Sequence, residues 1–130
     1  MPRLFAKAVF AGALALVPFA VPAAELVMVE QVGCAYCARW HKEIGPIYPK
    51  TPVSVSAPLR TVQLTSLDTA DFEITRPVVF TPTFLLVDEG RELARLEGYA
   101  GEHFFWPLVE KMVADHTGLT PANAVSSGGS

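Results

Sequence analysis

Within 130 residues there is room for one domain, and Cys34 and Cys37 are its only cysteines. The formal net charge is −3; without Arg3 and Lys7, which lie in a leader-like start, 8 basic residues face 13 acidic ones, a charge of −5. That balance excludes nucleic acid as a partner, since no basic patch or stripe is available to meet phosphates.

Residues 1–23 read as a secretory signal peptide. Arg3 and Lys7 give a basic start, Ala8 to Val21 is nearly all apolar, and Val21-Pro22-Ala23 offers small-residue cleavage positions. A membrane span needs about 20 apolar residues, and this run is shorter and carries Pro18, so the mature protein is expected to be exported and not membrane-spanning. No cysteine stands at the cleavage site to carry a lipid anchor.

The mature domain is expected over residues 24–118. Glu25 to Val29 is apolar without alternation, as suits a central strand covered on both faces. Glu30 to Gly33 makes a turn, and a helix is expected from Cys34 to about Ile44, with Cys37, Trp40, His41 and Ile44 on one face and Gly45-Pro46 stopping it. Tyr48 to Pro58 contains Pro49, Pro52 and Pro58 and reads as a surface connection, not a helix. Leu59 to Leu64 alternates as a half-buried strand does. Ser66 to Arg76 has room for a turn or two of helix around Asp68 to Phe72, a connection short for a parallel crossover.

Pro77 to Phe80 leads into Thr81-Pro82 and a second apolar strand, Thr83 to Val87. Asp88-Glu89-Gly90 has hairpin-turn composition, and Arg91 to Glu97 should return antiparallel. The last helix is expected near Glu102, docking Phe104, Phe105, Leu108, Val109, Met112 and Val113 on the sheet. Pro107 lacks an N–H, so either the regular helix starts near Trp106 or its first turn is distorted. Thr117-Gly118 ends it, and residues 119–130, rich in Ala, Ser and Gly, are expected to form a disordered tail.

The chemistry concentrates in Cys34-Ala35-Tyr36-Cys37. Two cysteines at i and i+3 in the first turn of a helix that leaves a strand are close enough for a short disulfide. Unsatisfied N–H groups and partial positive charge at the helix N-terminus favour Cys34 as thiolate and nucleophile. Cys37, one turn further in, is the natural resolving thiol. A structural disulfide stabilises mainly by closing a long loop, so this spacing favours redox work. His41 extends the motif to Cys-x-x-Cys-x-x-x-His, but structural zinc usually takes four ligands and no fourth is evident, so no metal is expected.

Glu30-Gln31-x-Gly33-Cys34-x-Tyr36-Cys37-x-x-Trp40, Ala57-Pro58-Leu59-Arg60, Phe80-Thr81-Pro82-Thr83-Phe84 and Glu97-Gly98-Tyr99-x-Gly101-Glu102-x-Phe104-Phe105-Trp106 resemble the small periplasmic thioredoxins of the sulfur-oxidation (Sox) system. The wider likeness, to the thioredoxin-like superfamily, covers roughly Glu25 to Thr117. It implies an α/β thioredoxin-like fold, a central mixed sheet of about four strands flanked by helices, in a minimal version with a short crossover.

The resemblance also implies a periplasmic thiol-disulfide oxidoreductase working mainly as a reductase, with no cofactor beyond the Cys34–Cys37 disulfide. Cys34 would attack and Cys37 resolve. Thr81-Pro82 would be a cis-proline pair offering backbone groups to an extended client, with Tyr36 and Trp40 on the same docking surface. Clients would be exported proteins with reactive cysteines, such as the cysteine-bearing carrier of the Sox system, and a membrane donor of the DsbD or CcdA kind would restore the dithiol. The chain departs from cytoplasmic thioredoxins at Ala35-Tyr36, where those proteins have Gly-Pro. It departs again at Met28, where they carry a buried carboxylate. Glu30 is therefore the candidate base for Cys37. Alternatives from the same cysteine pair are a copper-handling metallochaperone and a disulfide oxidant or isomerase.

Overall fold

The computed structural model describes residues 8–16 and 24–118. Much of the expected signal peptide and the whole expected tail lie outside these residues; residues 8–16 are exposed and have no regular secondary structure. No described helix is long and apolar enough to cross a membrane.

The apolar run after Ala24 forms β1 (Glu25–Glu30), with Leu26, Val27, Met28 and Val29 all buried. Both of its edges are paired, because it lies inside a four-stranded sheet of order β2-β1-β3-β4, and both of its faces are covered, Leu26 and Met28 by one core cluster and Val27 and Val29 by another. β1 runs parallel to β2 (Leu59–Gln63), pairing Met28 with Thr61, and antiparallel to β3 (Thr83–Asp88), pairing Met28 with Phe84. The hairpin to β4 (Arg91–Glu97) turns through Glu89 and Gly90, at φ 49° and 74°, the two positive values that a tight primed turn requires.

The alternation along the strands divides the core. On one face Leu26, Met28, Phe84 and Leu86 pack with Trp40, Tyr48, Phe105 and Val109, contributed by three helical segments and their flanks. These are α1 (Ala35–Glu43), α2 (Pro52–Ser56) and α3 (Glu102–Thr117). On the other face Val27, Val29, Leu85 and Val87 meet Leu67, Phe72 and Val78 from the β2–β3 connection, whose regular structure is one 3-10 turn, Leu64–Thr69. Because β3 is antiparallel to β1, this connection need not be a parallel crossover; α1 and α2 supply that between β1 and β2.

Three local expectations are corrected. Residues 48–58 are not a plain surface connection: a 3-10 turn, Tyr48–Lys50, and then α2 bury Tyr48, Val53 and Ala57, and the Tyr48 hydroxyl donates to the Ala57 carbonyl at 2.6 Å. Pro49 and Pro52 do not break these turns, because each stands in a first turn where its missing N–H would have no helical partner anyway. α3 runs unbroken from Glu102 with Pro107 inside it, on an exposed stretch where water can satisfy the carbonyl left without a donor. Only Phe105, Val109, Met112 and Val113 of the expected apolar set dock; Phe104 and Leu108 are 62 % and 47 % exposed.

Candidate active site

Cys34 is the N-cap of α1, and Cys37 lies one turn in, their Cα atoms 5.2 Å apart and their sulfurs joined. The backbone N–H of Cys37 donates to Cys34 Sγ at 3.1 Å, so the helix start places an orphan donor on the first sulfur. No acidic side chain occupies the first turn to offset the positive end of the helix. Exposure divides the pair: Cys34 is half-buried, while Cys37 is 4 % exposed. An incoming sulfur reaches Cys34 first. Cys37 Sγ is screened from solvent behind it.

The Thr81-Pro82 segment lies against this turn, since Gln31 Nε2 donates to Thr81 Oγ1 at 2.9 Å. The Thr81–Pro82 peptide is cis. Pro82 is buried, and its carbonyl accepts from Gly98 N at 2.8 Å, while Thr83 Oγ1 donates to the Phe80 carbonyl at 2.7 Å. Thr81 is half-buried and Tyr36 is 60 % exposed.

Trp40 requires a correction, because it has no exposed surface and so cannot form part of a docking surface. Its ring packs against Tyr48, Phe84 and Phe105 with centroids 5.4–6.4 Å apart, behind the sulfurs. Its i, i+3 relation to Cys37 already marked the inward face of α1. His41, expected on that face, is turned outward instead, with its side chain 44 % exposed.

A groove of about 630 Å³ opens beside Tyr36 and is lined by Phe80, Thr81, Leu96, Phe104 and Leu108 among others. Phe80 is 61 % exposed and Phe104 62 %. Sequence reasoning singled out Tyr36 and Thr81 on this surface but missed Phe80, Phe104 and Leu108. The available signal was an apolar arc on α3 wider than one packed face needs.

On the other side of the motif, Glu30, Cys34, Cys37, His41 and Gln63 line a second hollow. Glu30, its side chain 18 % exposed, lies 2.5 Å from His41 Nε2 and accepts from Gln63 Nε2 at 3.4 Å. Met28 is fully buried among apolar side chains, so no carboxylate stands at that position. Glu43 ties α1 to the β4–α3 loop: the Tyr99 hydroxyl donates to it at 2.6 Å and Arg39 Nε at 2.8 Å. The Tyr99 hydroxyl, then Arg39, hold the Glu43 carboxyl below its ordinary value, and burial with the same contact pushes Tyr99 up. Among the described residues no group of three or more His, Cys, Asp or Glu side chains is placed to hold a metal ion.

A cysteine pair at a helix N-terminus, beside a proline-led strand of a four-stranded mixed sheet, is the apparatus of a disulfide-exchange protein. The thioredoxin-like domain model matches residues 24–113, and the chain belongs to the thioredoxin-like family as a thiol-disulfide oxidoreductase. It is similar to the periplasmic thioredoxin SoxS from Paracoccus pantotrophus, solved in its reduced form. The two are 46 % identical with a TM-score of 0.67, over 70 % of this chain and 96 % of that one. Thioredoxin from Malassezia sympodialis (Mala s 13) shares the fold, with a TM-score of 0.51 at 16 % identity over 72 % of this chain and 77 % of that one. No curated protein sequence matches the chain.

Proposed function

We propose that this protein is exported to the periplasm and there reduces disulfides and mixed disulfides on client proteins. The observation that carries the reading is the unequal exposure of Cys34 and Cys37 in a chain 46 % identical to a periplasmic thioredoxin. The Cys34 thiolate attacks a client disulfide and one client thiolate leaves. The Cys37 thiolate then attacks Cys34 Sγ, the mixed disulfide breaks, and the second client sulfur leaves as thiolate. The client gains two electrons and the protein holds the Cys34–Cys37 disulfide. A membrane donor of the DsbD or CcdA kind returns the pair to dithiol, and the cysteine-bearing carrier of a sulfur-oxidation system is a fitting client.

Before Cys37 can attack it must lose its proton, because the thiolate is the nucleophile. Glu30 is the group proposed to take it, across the hollow it shares with Cys37, and His41 and Gln63 hold that carboxylate in place. Client chain docks along Thr81-Pro82 in extended form, with Tyr36 at the rim and an apolar client side chain in the neighbouring groove.

Insulin reduction tests the reading. Turnover should be lost in Cys34→Ser, and Cys37→Ser should accumulate a mixed disulfide with the client. Stoichiometric Cu(I) binding without disulfide turnover would overturn the proposal in favour of metal handling.

A further inference from the structure

Glu92 and Arg95 stand three residues apart on β4, a spacing that in a regular strand sends side chains to opposite faces. Here both point to the same face. The β3–β4 register explains why: Leu86 pairs with Ala94 and Val87 with Glu92, so Leu93 is an extra residue, a bulge. The bulge gathers a carboxylate and a guanidinium beneath the β2–β3 connection, with side-chain exposures of 2 % and 4 %.

These two side chains are spent on the backbone of that connection. Arg95 Nη2 donates to the Arg76 carbonyl at 2.8 Å, and Nη1 to the Pro77 carbonyl at 3.2 Å. Arg95 Nε and Nη2 also donate to the Glu92 carboxylate, at 2.5 and 2.9 Å. Glu92 in turn accepts from Thr75 N at 2.7 Å and Thr75 Oγ1 at 2.9 Å. Burial works against the Glu92 charge, but the bonds from Arg95 and Thr75 prevail and hold its carboxyl below the ordinary value. Outside the pair, Arg76 is fastened to Glu97 at 2.8 Å, and Glu97 also faces Arg95 at 3.5 Å.

A buried ion pair is weak support for stability, since well-packed apolar residues of similar volume often do as well or better. What this one supplies is position. The geometry points to Glu92 and Arg95 as positioning residues that clamp residues 75–77, and so aim the Phe80-Thr81 rim, which begins three residues later, at the client. This assignment rests on the reading of that rim as the docking edge. Neither residue lines either hollow beside the cysteines, so neither touches the reacting sulfurs.

The test compares wild type with Glu92→Leu/Arg95→Leu, which removes both charges together, and with Arg95→Lys. Lysine keeps a charge beside Glu92 but lacks the fork that reaches two carbonyls at once. Three readouts are needed: backbone order parameters of Phe80 and Thr81 by NMR, KM and kcat for insulin, and the rate of Cys34 alkylation by iodoacetamide. The expected result is a fall in the order parameters from about 0.85 to below about 0.6. KM for insulin should rise about tenfold, with kcat within about twofold and alkylation unchanged. A rim that stays rigid in a folded variant overturns the clamp. A rim that loosens with no rise in KM upholds the clamp and overturns the docking reading. Should the double variant fail to fold, Arg95→Lys alone decides between these outcomes.

Discussion

Reducing the Cys34–Cys37 disulfide should leave the protein folded. The bridge joins residues of sequence separation 3 and so closes a four-residue loop. In the chain-entropy description this removes about 6 cal/mol/K from the unfolded state, or about 2 kcal/mol at 25 °C. That figure is an upper limit, because a sulfur left at the N-cap position keeps the Cys37 N–H, which donates to it in the oxidised form at 3.1 Å, within reach. Small domains have roughly 5–15 kcal/mol of stability in all. The larger share here lies in the two-sided core around Trp40, Phe84, Phe105 and Leu85, which the bridge does not hold together. At roughly 4–8 °C per kcal/mol for a domain of this size, reduction should lower Tm by no more than about 8–16 °C. Calorimetry or circular dichroism melts of the oxidised and dithiol forms measure this directly, with Cys34→Ser/Cys37→Ser as a thiol-free control. A dithiol form already unfolded at 25 °C would refute the reasoning, for the bridge would then be structural.

Other outcomes follow from the same geometry. Trp40→Ala should cost about 3–5 kcal/mol in urea unfolding, whereas Tyr36→Ala at an exposed position should stay within about 0.5 kcal/mol and instead raise KM for insulin. Glu30→Gln should slow release of the client from the Cys34 mixed disulfide by about 100-fold at neutral pH without changing the Cys34 attack rate; stopped-flow traces with unchanged release would reduce Glu30 to a turn residue. Glu92 has a folded-state pKa below its unfolded value of about 4.3, so its contribution is complete above that pH and is lost as pH falls through the lower folded value. Glu92→Gln should therefore flatten the acid side of the stability–pH curve, as read from denaturant midpoints below about pH 5.

The parts legible from residue order are those where one short-range rule dominates. The continuous apolar runs of β1 and β3, the Asp88-Glu89-Gly90 turn and the 3.6-residue spacing of Phe105, Val109, Met112 and Val113 each require one arrangement, and each has it. Cys34-Ala35-Tyr36-Cys37 was legible as chemistry because helix starts and thiolates interact locally. Residues 48–58 were not, since prolines that break a helix interior are welcome at its first turn, and which applies depends on whether Tyr48 finds a core to enter. Trp40 failed as a docking residue for a related reason. A large aromatic beside a cysteine motif suits a rim or a core equally, and the facing Phe84 and Phe105, distant in sequence, decide for the core. The bulge at Leu93 and the pair it brings together were invisible, because a one-residue slip in β3–β4 pairing leaves no mark in composition.

The direction of electron flow is tested most directly by the reduction potential of the Cys34–Cys37 couple, equilibrated against glutathione or dithiothreitol buffers. A reductase account predicts a value near that of thioredoxin, about −270 mV; a value near −120 mV, where DsbA lies, would make the protein an oxidant and contradict it.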